Sequence, residues 1–249
     1  MIEIIFFSFF VFLLTYFSKK LNFLPNFSGE HHQSYLNEKK IPLIGGILFL
    51  ILSINFFYEK NIILCWMISL IFLIGFLSDT RIINSPKLRI FLQILLVSIT
   101  VYILDIKISS TRIDILDKII QIQFFGAIFC IFCLMILING SNFIDGLNAL
   151  LLTYLLIVLL ILLKLNLFDL IDIKKDLIIF LFSCLVIMQI FNFMNFFYLG
   201  DGGSYSIGLV LGYLLIEIYN SSGIISPFFI ILLLWYPCFE NLFSILRKN

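Results

Sequence analysis

Residues 139–148 read Asn-Gly-Ser-Asn-Phe-Ile-Asp-Gly-Leu-Asn; one long apolar run, residues 122–138, precedes them and another, residues 147–163, overlaps their end. Each run is long enough to cross a bilayer as a helix. Amide and carboxylate groups are costly in lipid unless they are hydrogen-bonded or hydrated, so polar residues at this depth indicate a functional segment. The stretch therefore predicts two membrane helices joined by a polar functional loop.

The same alternation of apolar runs and short polar segments continues along the whole chain. Of its 249 residues, 62% are hydrophobic and 12% are charged, whereas soluble domains carry about 25% charged residues. Hydropathy predicts an all-α, polytopic transmembrane helical bundle of about nine spans, forming a single domain over residues 1–249. The predicted cores are residues 2–18, 42–57, 61–78, 88–104, 122–138, 147–163, 177–194, 204–220 and 225–243. The net charge of +1 does not indicate nucleic acid as a partner.

With nine spans, alternate connecting segments share one side of the membrane. Residues 19–41, 79–87, 139–146 and 195–203 fall on one side, and they hold every unusual cluster of Gly, Asn, Asp, Pro or His. This side also carries slightly more Lys and Arg, which favours it as the cytoplasmic side. We therefore expect the functional site on this face.

Three carboxylates lie at predicted span ends on that face, those of Asp79, Asp145 and Asp201. Asp201 stands in Gly200-Asp201-Gly202-Gly203-Ser204, where glycine amides and the next helix N-terminus can approach an anion, although a tight turn would look the same. A lone carboxylate can hold Mg²⁺ between phosphates. The mixture suits a metal-bridged phosphate better than acyl chemistry. Its other polar members are Asn139, Asn142, Asn148, Ser204, Lys39, Lys40, Arg81, Lys87, Arg89, His31 and His32.

Each of these signals also has an ordinary structural interpretation. Lys39 and Lys40 are equally consistent with topology signals, and His31 and His32 with surface residues of a loop. Asp79 beside Arg81 would by itself be a plain interfacial pair. Gly208 and Gly212 are best interpreted as a helix-packing pair, and the Cys130-x-x-Cys133 spacing as packing residues rather than a metal or redox site.

As a set, the motifs resemble the polyprenyl-phosphate N-acetylhexosamine-1-phosphate transferases, glycosyltransferase family 4, of the undecaprenyl-phosphate GlcNAc-1-phosphate transferase type. The similarity covers about residues 20–245 in the family's order, and Arg89 and Gln93 also match. The motifs that carry it are Pro42-x-x-Gly45-Gly46, Asn139-x-x-Asn142-x-x-Asp145-Gly146-Leu147-Asn148 and Leu199-Gly200-Asp201-x-Gly203-Ser204.

The resemblance implies that sugar-1-phosphate moves from a UDP-N-acetylhexosamine to a polyprenyl phosphate, releasing UMP, with Mg²⁺ as cofactor. It implies that Asp201 binds the metal, and that Asp201 and Asp79 are the catalytic residues. Residues implied in substrate binding are Lys40, Arg89, Asn139, Asn142, Asp145, Asn148, Gly200 and Ser204. It also implies a bacterial inner membrane location, a site facing the cytoplasm, a surface glycan such as lipopolysaccharide as the destination, and a homodimer as a common assembly.

Three departures from the family pattern affect these expectations. The family's Asp-Asp pair reads Ser78-Asp79, so a hydroxyl replaces one carboxylate. The Pro-Ala-Lys run before Gly-Asp is replaced by Asn-Phe-Phe-Tyr at residues 195–198, which removes a cation. The family's Arg-rich stretch and His-rich loop would follow residues 246–249, and His31 and His32 lie in the wrong loop to replace them. We expect either a C-terminally truncated chain or a shortened branch.

Two alternatives remain open at the level of the sequence. One is a catalytically impaired or truncated relative that binds the nucleotide sugar or the lipid carrier without turnover. The other is a transporter or lipid flippase that uses the same carboxylates, although the broken-helix pairs typical of transporters are missing from the pattern. A peptidoglycan precursor as product is disfavoured by Asn148, where the resemblance would require an aspartate.

Overall fold

The computed structural model describes residues 2–25, 41–146 and 149–247, which form helices joined by short connecting segments. The predicted all-α bundle is confirmed. The helices are α1 (Ile2–Lys20), α2 (Gly45–Phe57), α3 (Ile62–Asp79), α4 (Pro86–Ile103), α5 (Asp114–Ile120), α6 (Gln123–Ile144), α7 (Leu150–Lys164), α8 (Lys175–Phe193), α9 (Gly200–Ser221) and α10 (Pro227–Arg247), with a 3-10 turn at Leu167–Ile171.

Each of the nine predicted span cores coincides with one helix, and α5 is the additional one. Within the described residues, seven helices are long and apolar enough to cross a membrane: α1, α3, α4, α6, α8, α9 and α10. The other two, α2 and α7, have 13 and 15 residues. At 1.5 Å per residue they extend about 20–22 Å, less than a hydrocarbon core of about 30 Å.

Helix α9 forms the centre of the bundle. Its spanning window is 94% buried, against 17% for α1, and it packs on α2, α3 and α6. Small residues allow this close packing. A Cβ on Gly46 would lie 2.6 Å from the Gly203 amide nitrogen, and a Cβ on Gly75 would overlap the backbone of Gly202. The first turn of α9 is therefore held directly against α2 and α3.

The packing interpretation of Gly208 and Gly212 agrees with the structure. A Cβ on Gly208 would lie 2.6 Å from the Cα atom of Ile138, and one on Gly212 would lie 2.6 Å from Leu134. Both contacts bring α9 against α6, the helix that carries Asn139 and Asn142.

The connecting segments gather at two opposite ends of the bundle. At one end, the start of α2 bonds the segment before α9, where Gly45 N–H donates to the Tyr198 carbonyl at 3.0 Å. At the other end, Lys60 Nζ donates to the Ile171 carbonyl at 2.6 Å, and the Asn220 side chain bonds the Lys107 carbonyl. The first end holds the predicted polar segments.

Candidate functional site

Asp79 caps the N-terminus of α9 from the end of a different helix. Its Oδ1 accepts the Asp201 N–H at 2.9 Å and its Oδ2 accepts the Gly202 N–H at 3.2 Å. These are two of the backbone donors that a helix start leaves without an internal partner, and the carboxylate also lies at the positive end of the helix dipole. The sequence predicted that the amides of this glycine-rich segment would bind an anion. In the structure, the anion they bind is Asp79.

The left-handed backbone of Gly200 makes this cap possible. Its φ is +75°, a conformation that L side chains rarely adopt, and a Cβ there would lie 2.6 Å from Oδ2 of Asp79. Gly200 was predicted to bind substrate. Its evident structural part is to let the chain turn into α9 beside the carboxylate of Asp79.

Ser78, Arg89 and Asp201 form a second, contiguous cluster. Arg89 Nη1 pairs with Asp201 Oδ2 at 2.8 Å and also donates to Ser78 Oγ at 2.8 Å. Ser78 Oγ in turn donates to the same Asp201 oxygen at 2.7 Å. The serine that replaces a carboxylate therefore bridges the cation and the anion. Arg89 was predicted to bind substrate, and in the structure it binds Asp201.

Asp145 belongs to the same cluster. It follows the last residue of α6, and its carboxylate lies against the Gly200 amide. Burial raises the pKa of Asp145 well above the usual range for an aspartate, and the nearby charges of Asp201 and Asp79 add to this effect. The three carboxylates predicted from separate segments thus surround one helix start.

The two asparagines of α6 have different surroundings. Asn142 Oδ1 accepts the Ser204 hydroxyl at 2.9 Å, which connects α6 to the first turns of α9. Asn139 donates to the Met135 carbonyl of its own helix at 2.9 Å. Both were predicted to lie in a loop over residues 139–146. That prediction is wrong for residues 139–144, which continue α6. The predicted connecting segment 195–203 is likewise wrong for residues 200–203, which begin α9.

Two further predicted residues lie outside the part of the chain that the structure describes. These are Lys40 and Asn148; Lys39, His31 and His32 also lie outside it. Near the replaced Pro-Ala-Lys run, Lys19 Nζ stands 4.6 Å from the Phe196 ring centroid, so α1 brings a cation beside that segment.

Sequence reasoning missed Tyr205 entirely and gave Gln93 no role. The Tyr205 hydroxyl is 3.5 Å from Asp201 Oδ2, and its ring is 2% exposed. Gln93 is 1% exposed and lies beside the Tyr205 hydroxyl. The four-residue spacings Arg89–Gln93 and Asp201–Tyr205 place each pair on one helix face, and this was the available signal.

The donor set is suited to a hard divalent cation. Among the described residues no three His, Cys, Asp or Glu side chains form a ready-made metal group. Mg²⁺, however, commonly uses one or two carboxylates and completes its shell with phosphates and waters. Here three carboxylates surround the start of α9, while one guanidinium pairs with Asp201. A cation bound at Asp201 would reduce this excess of negative charge.

Comparison with known proteins agrees with the geometry. The family model for glycosyl transferase family 4 matches residues 61–219, which include Asp79, Arg89, Asn142, Asp145 and Asp201. Comparison with curated protein sequences found no match. The family match covers more than half of the chain, and it contains the helices that build the carboxylate cluster. The chain is therefore a member of glycosyl transferase family 4, whose general activity is the transfer of a sugar-1-phosphate to a polyprenyl phosphate.

Proposed function

We propose that this multi-pass membrane protein transfers N-acetylhexosamine-1-phosphate from a UDP-sugar to a polyprenyl phosphate, such as undecaprenyl phosphate, and releases UMP. A phosphate oxygen of the lipid attacks the β-phosphorus, and the bond from this phosphorus to the bridging oxygen of UMP breaks. The observation that carries the proposal is the cluster of Asp79, Asp145, Asp201, Arg89 and Ser78 at the start of α9.

The position of the cluster suits one lipid and one water-soluble substrate. It lies at the end of α3, where a membrane-spanning helix meets the connecting segments. A polyprenyl phosphate keeps its phosphate at this level, and a nucleotide sugar reaches it from water. UDP-sugars are charged and do not cross the bilayer, so we place this end on the cytoplasmic side of a bacterial inner membrane.

Two polyanions repel each other, and the protein must offset that repulsion. Mg²⁺ bound at Asp201 would supply the positive charge that stabilises the phosphates during transfer. Asp79 fixes the backbone on both sides of Asp201, since it accepts the N–H groups of Asp201 and Gly202. Arg89 and Ser78 hold Oδ2 of Asp201. We assign Asp79 and Asp201 as the catalytic pair: Asp201 would hold the cation, and Asp79 would position the lipid phosphate through the α9 backbone that it caps.

The nucleotide sugar is the second substrate in this proposal. Asn142 and Asp145 come from the end of α6 and border the start of α9. Amide and carboxyl groups there offer donors and acceptors to the sugar and the nucleotide. The lipid-linked product is then a substrate for sugar transfer in the synthesis of a surface glycan.

The proposal is tested by release of UMP from purified protein in detergent, supplied with Mg²⁺, undecaprenyl phosphate and a panel of UDP-sugars. We expect release with at least one UDP-N-acetylhexosamine and loss of release in Asp201→Asn. Asp105→Asn, the same change at an exposed residue at the opposite end, serves as the control and should retain activity. Absence of UMP with every UDP-sugar would contradict the proposal and favour a non-catalytic relative.

A further inference from the structure

Gln93 is a buried polar side chain whose amide makes no hydrogen bond of good geometry. It lies on α4 and is 1% exposed, and among the described residues it lies beside the Tyr205 hydroxyl, which it approaches without a well-formed bond. A buried amide left in this state is costly, and such groups are uncommon in folded proteins. A poorly satisfied amide beside the carboxylate cluster therefore indicates a hydrogen bond that becomes well formed in another state of the site.

The neighbours of Gln93 identify what that partner is. Its amide lies beside the Tyr205 hydroxyl, which points at Asp201 Oδ2 from 3.5 Å, the long limit of a hydrogen bond. Arg89, one turn before Gln93 on α4, already bonds the same oxygen at 2.8 Å. Gln93, Tyr205 and Asp201 therefore lie next to one another in this order. The contact between Gln93 and Tyr205 and the contact between Tyr205 and Asp201 are both weaker than well-formed hydrogen bonds.

We propose that Gln93 is a positioning residue that acts on Asp201 through Tyr205. In the working state, Gln93 Nε2 donates to the Tyr205 oxygen and the Tyr205 hydroxyl donates to Oδ2 of Asp201. Hydrogen bonds in active sites are often long before the ligands bind and tighten in the complex. Ser78, Arg89 and Tyr205 then all hold Oδ2, so that the Asp201 carboxylate is fixed in one orientation, in which it would serve as a ligand for a divalent cation.

This inference rests on the proposed function in one respect, the cation at Asp201. Groups that orient a metal ligand act on affinity without touching the metal, and their loss typically weakens binding about 10–100-fold. We therefore expect Gln93→Leu and Tyr205→Phe each to weaken Mn²⁺ binding about tenfold. The probe is Mn²⁺ alone, titrated into the full-length protein and followed by the electron paramagnetic resonance signal of the free ion.

The matched control is Gln189→Leu. Gln189 is also a membrane-helix glutamine with an unpartnered Oε1, but its Nε2 donates to Thr153, so it joins α8 to α7 and bonds none of Asp79, Asp201 and Tyr205 in the described structure. This variant should bind Mn²⁺ as the unaltered protein does. A stability measurement adds a second readout: Gln93→Leu replaces a poorly satisfied amide with an apolar group of similar size, so its unfolding temperature should be unchanged or raised by about 2–4 °C. A residue with a packing role alone would change the unfolding temperature and leave the Mn²⁺ affinity unaltered.

The double variant tests the relay itself. If Gln93 acts through Tyr205, the combined variant should bind Mn²⁺ no more weakly than Tyr205→Phe alone. If the losses of Mn²⁺ affinity in the two single variants multiply in the double variant, the two residues act independently and the relay is overturned. The relay is also overturned if Gln93→Leu binds Mn²⁺ as tightly as Gln189→Leu. Failure of the proposed function has a different signature, because Asp201→Asn would then bind Mn²⁺ as tightly as the unaltered protein.

Discussion

Gly200 is the residue on which the geometry of the carboxylate cluster depends most closely. It turns the chain into α9 with a φ of +75°, and the space where a side chain would stand is taken by the Asp79 carboxylate. We predict that Gly200→Ala lowers the free energy of unfolding by at least about 1–2 kcal/mol, the cost of a left-handed residue with a Cβ. Displacement of Asp79 should also lower UMP release. Thermal unfolding in detergent checks the first effect, and an unchanged transition would contradict the cap described for Asp79.

Ser78 gives a second prediction at the scale of the single residue. Its hydroxyl bonds both Arg89 and Asp201, and hydrogen bonds to charged groups are worth about 1.5–3 kcal/mol each when buried. Because Ser78 is half-buried, we expect Ser78→Ala to lower the free energy of unfolding by about 1–3 kcal/mol in all.

The control for Ser78 is Ser69→Ala on the same helix. In the described part of the chain, Ser69 Oγ bonds the Cys65 carbonyl one turn earlier and no charged group, so its loss should cost about 1 kcal/mol or less. Chemical or thermal unfolding of both variants in the same detergent compares them. Equal effects of the two substitutions would show that the bridge between Arg89 and Asp201 adds no stability.

At the scale of the element, the decisive contact is the packing of α3 on the first turn of α9. A Cβ on Gly75 would overlap the backbone of Asp201 and Gly202, which no rotamer change can relieve. We predict that Gly75→Ala forces the two helices apart and costs about 1–3 kcal/mol, as overpacked cores do. The movement would also draw Asp79, the last residue of α3, away from the amides it caps.

Gly223→Ala is the matched control for Gly75→Ala, because a Cβ there would meet nothing within 4 Å. Its unfolding temperature should stay close to that of the unaltered protein. If Gly75→Ala unfolds at the same temperature as Gly223→Ala, then α3 and α9 do not pack as closely as the structure shows.

Hydropathy predicted where the membrane helices lie in the sequence, but it did not predict several of the residues at which they begin or end. The glycines at 200, 202 and 203 suggested a loop, yet residues 200–203 are helical, since Asp79 caps them from a distant part of the sequence. Asn142 bonds Ser204 of α9, and Asn139 bonds the Met135 carbonyl of its own helix, so both polar side chains are satisfied while α6 continues. Contacts between distant segments, such as the Asp79 cap and the bond from Ser204 to Asn142, leave no local signal. Proximity of the three aspartates was predictable from the alternation of sides. The contacts of Asp79 and Asp145 with the amides of α9, and those of Asp201 with Arg89 and Ser78, were not.

At the scale of the whole molecule, the end of the bundle opposite the carboxylate cluster also holds polar residues, and their hydrogen bonds join its connecting segments to the helices. Asp117 on α5 accepts hydrogen bonds from the Ser110 hydroxyl and from the amide and hydroxyl of Thr111, and Tyr219 of α9 donates to the Ser110 carbonyl. The bonds from Ser110 and Thr111 hold the pKa of Asp117 below its usual range. Asp117 therefore connects the short helix α5 to the central helix. The sequence did not predict α5, since its seven residues are too few for a periodic signal.

The lowered pKa of Asp117 leads to a prediction about pH. A carboxyl with a depressed pKa in the folded state stabilises the fold above its unfolded pKa, and the contribution is lost as the pH falls. The unfolding temperature of Asp117→Asn should therefore lie below that of the unaltered protein at pH 7, and the gap should close as the pH drops below about 4. A gap that stays constant down to pH 3 would contradict this account.

The central claim concerns the whole molecule: carboxylates brought together by α3, α6 and α9 join a lipid phosphate to a nucleotide sugar. The mass of the lipid product tests it most directly, because UMP release alone does not distinguish transfer from hydrolysis. With Mg²⁺, undecaprenyl phosphate and the active UDP-sugar, we predict a lipid heavier by one N-acetylhexosamine phosphate. It should be made by the unaltered protein and by Asp105→Asn, and be missing with Asp79→Asn or Asp201→Asn. An unchanged lipid mass with every UDP-sugar, or full product from Asp201→Asn, would contradict the account.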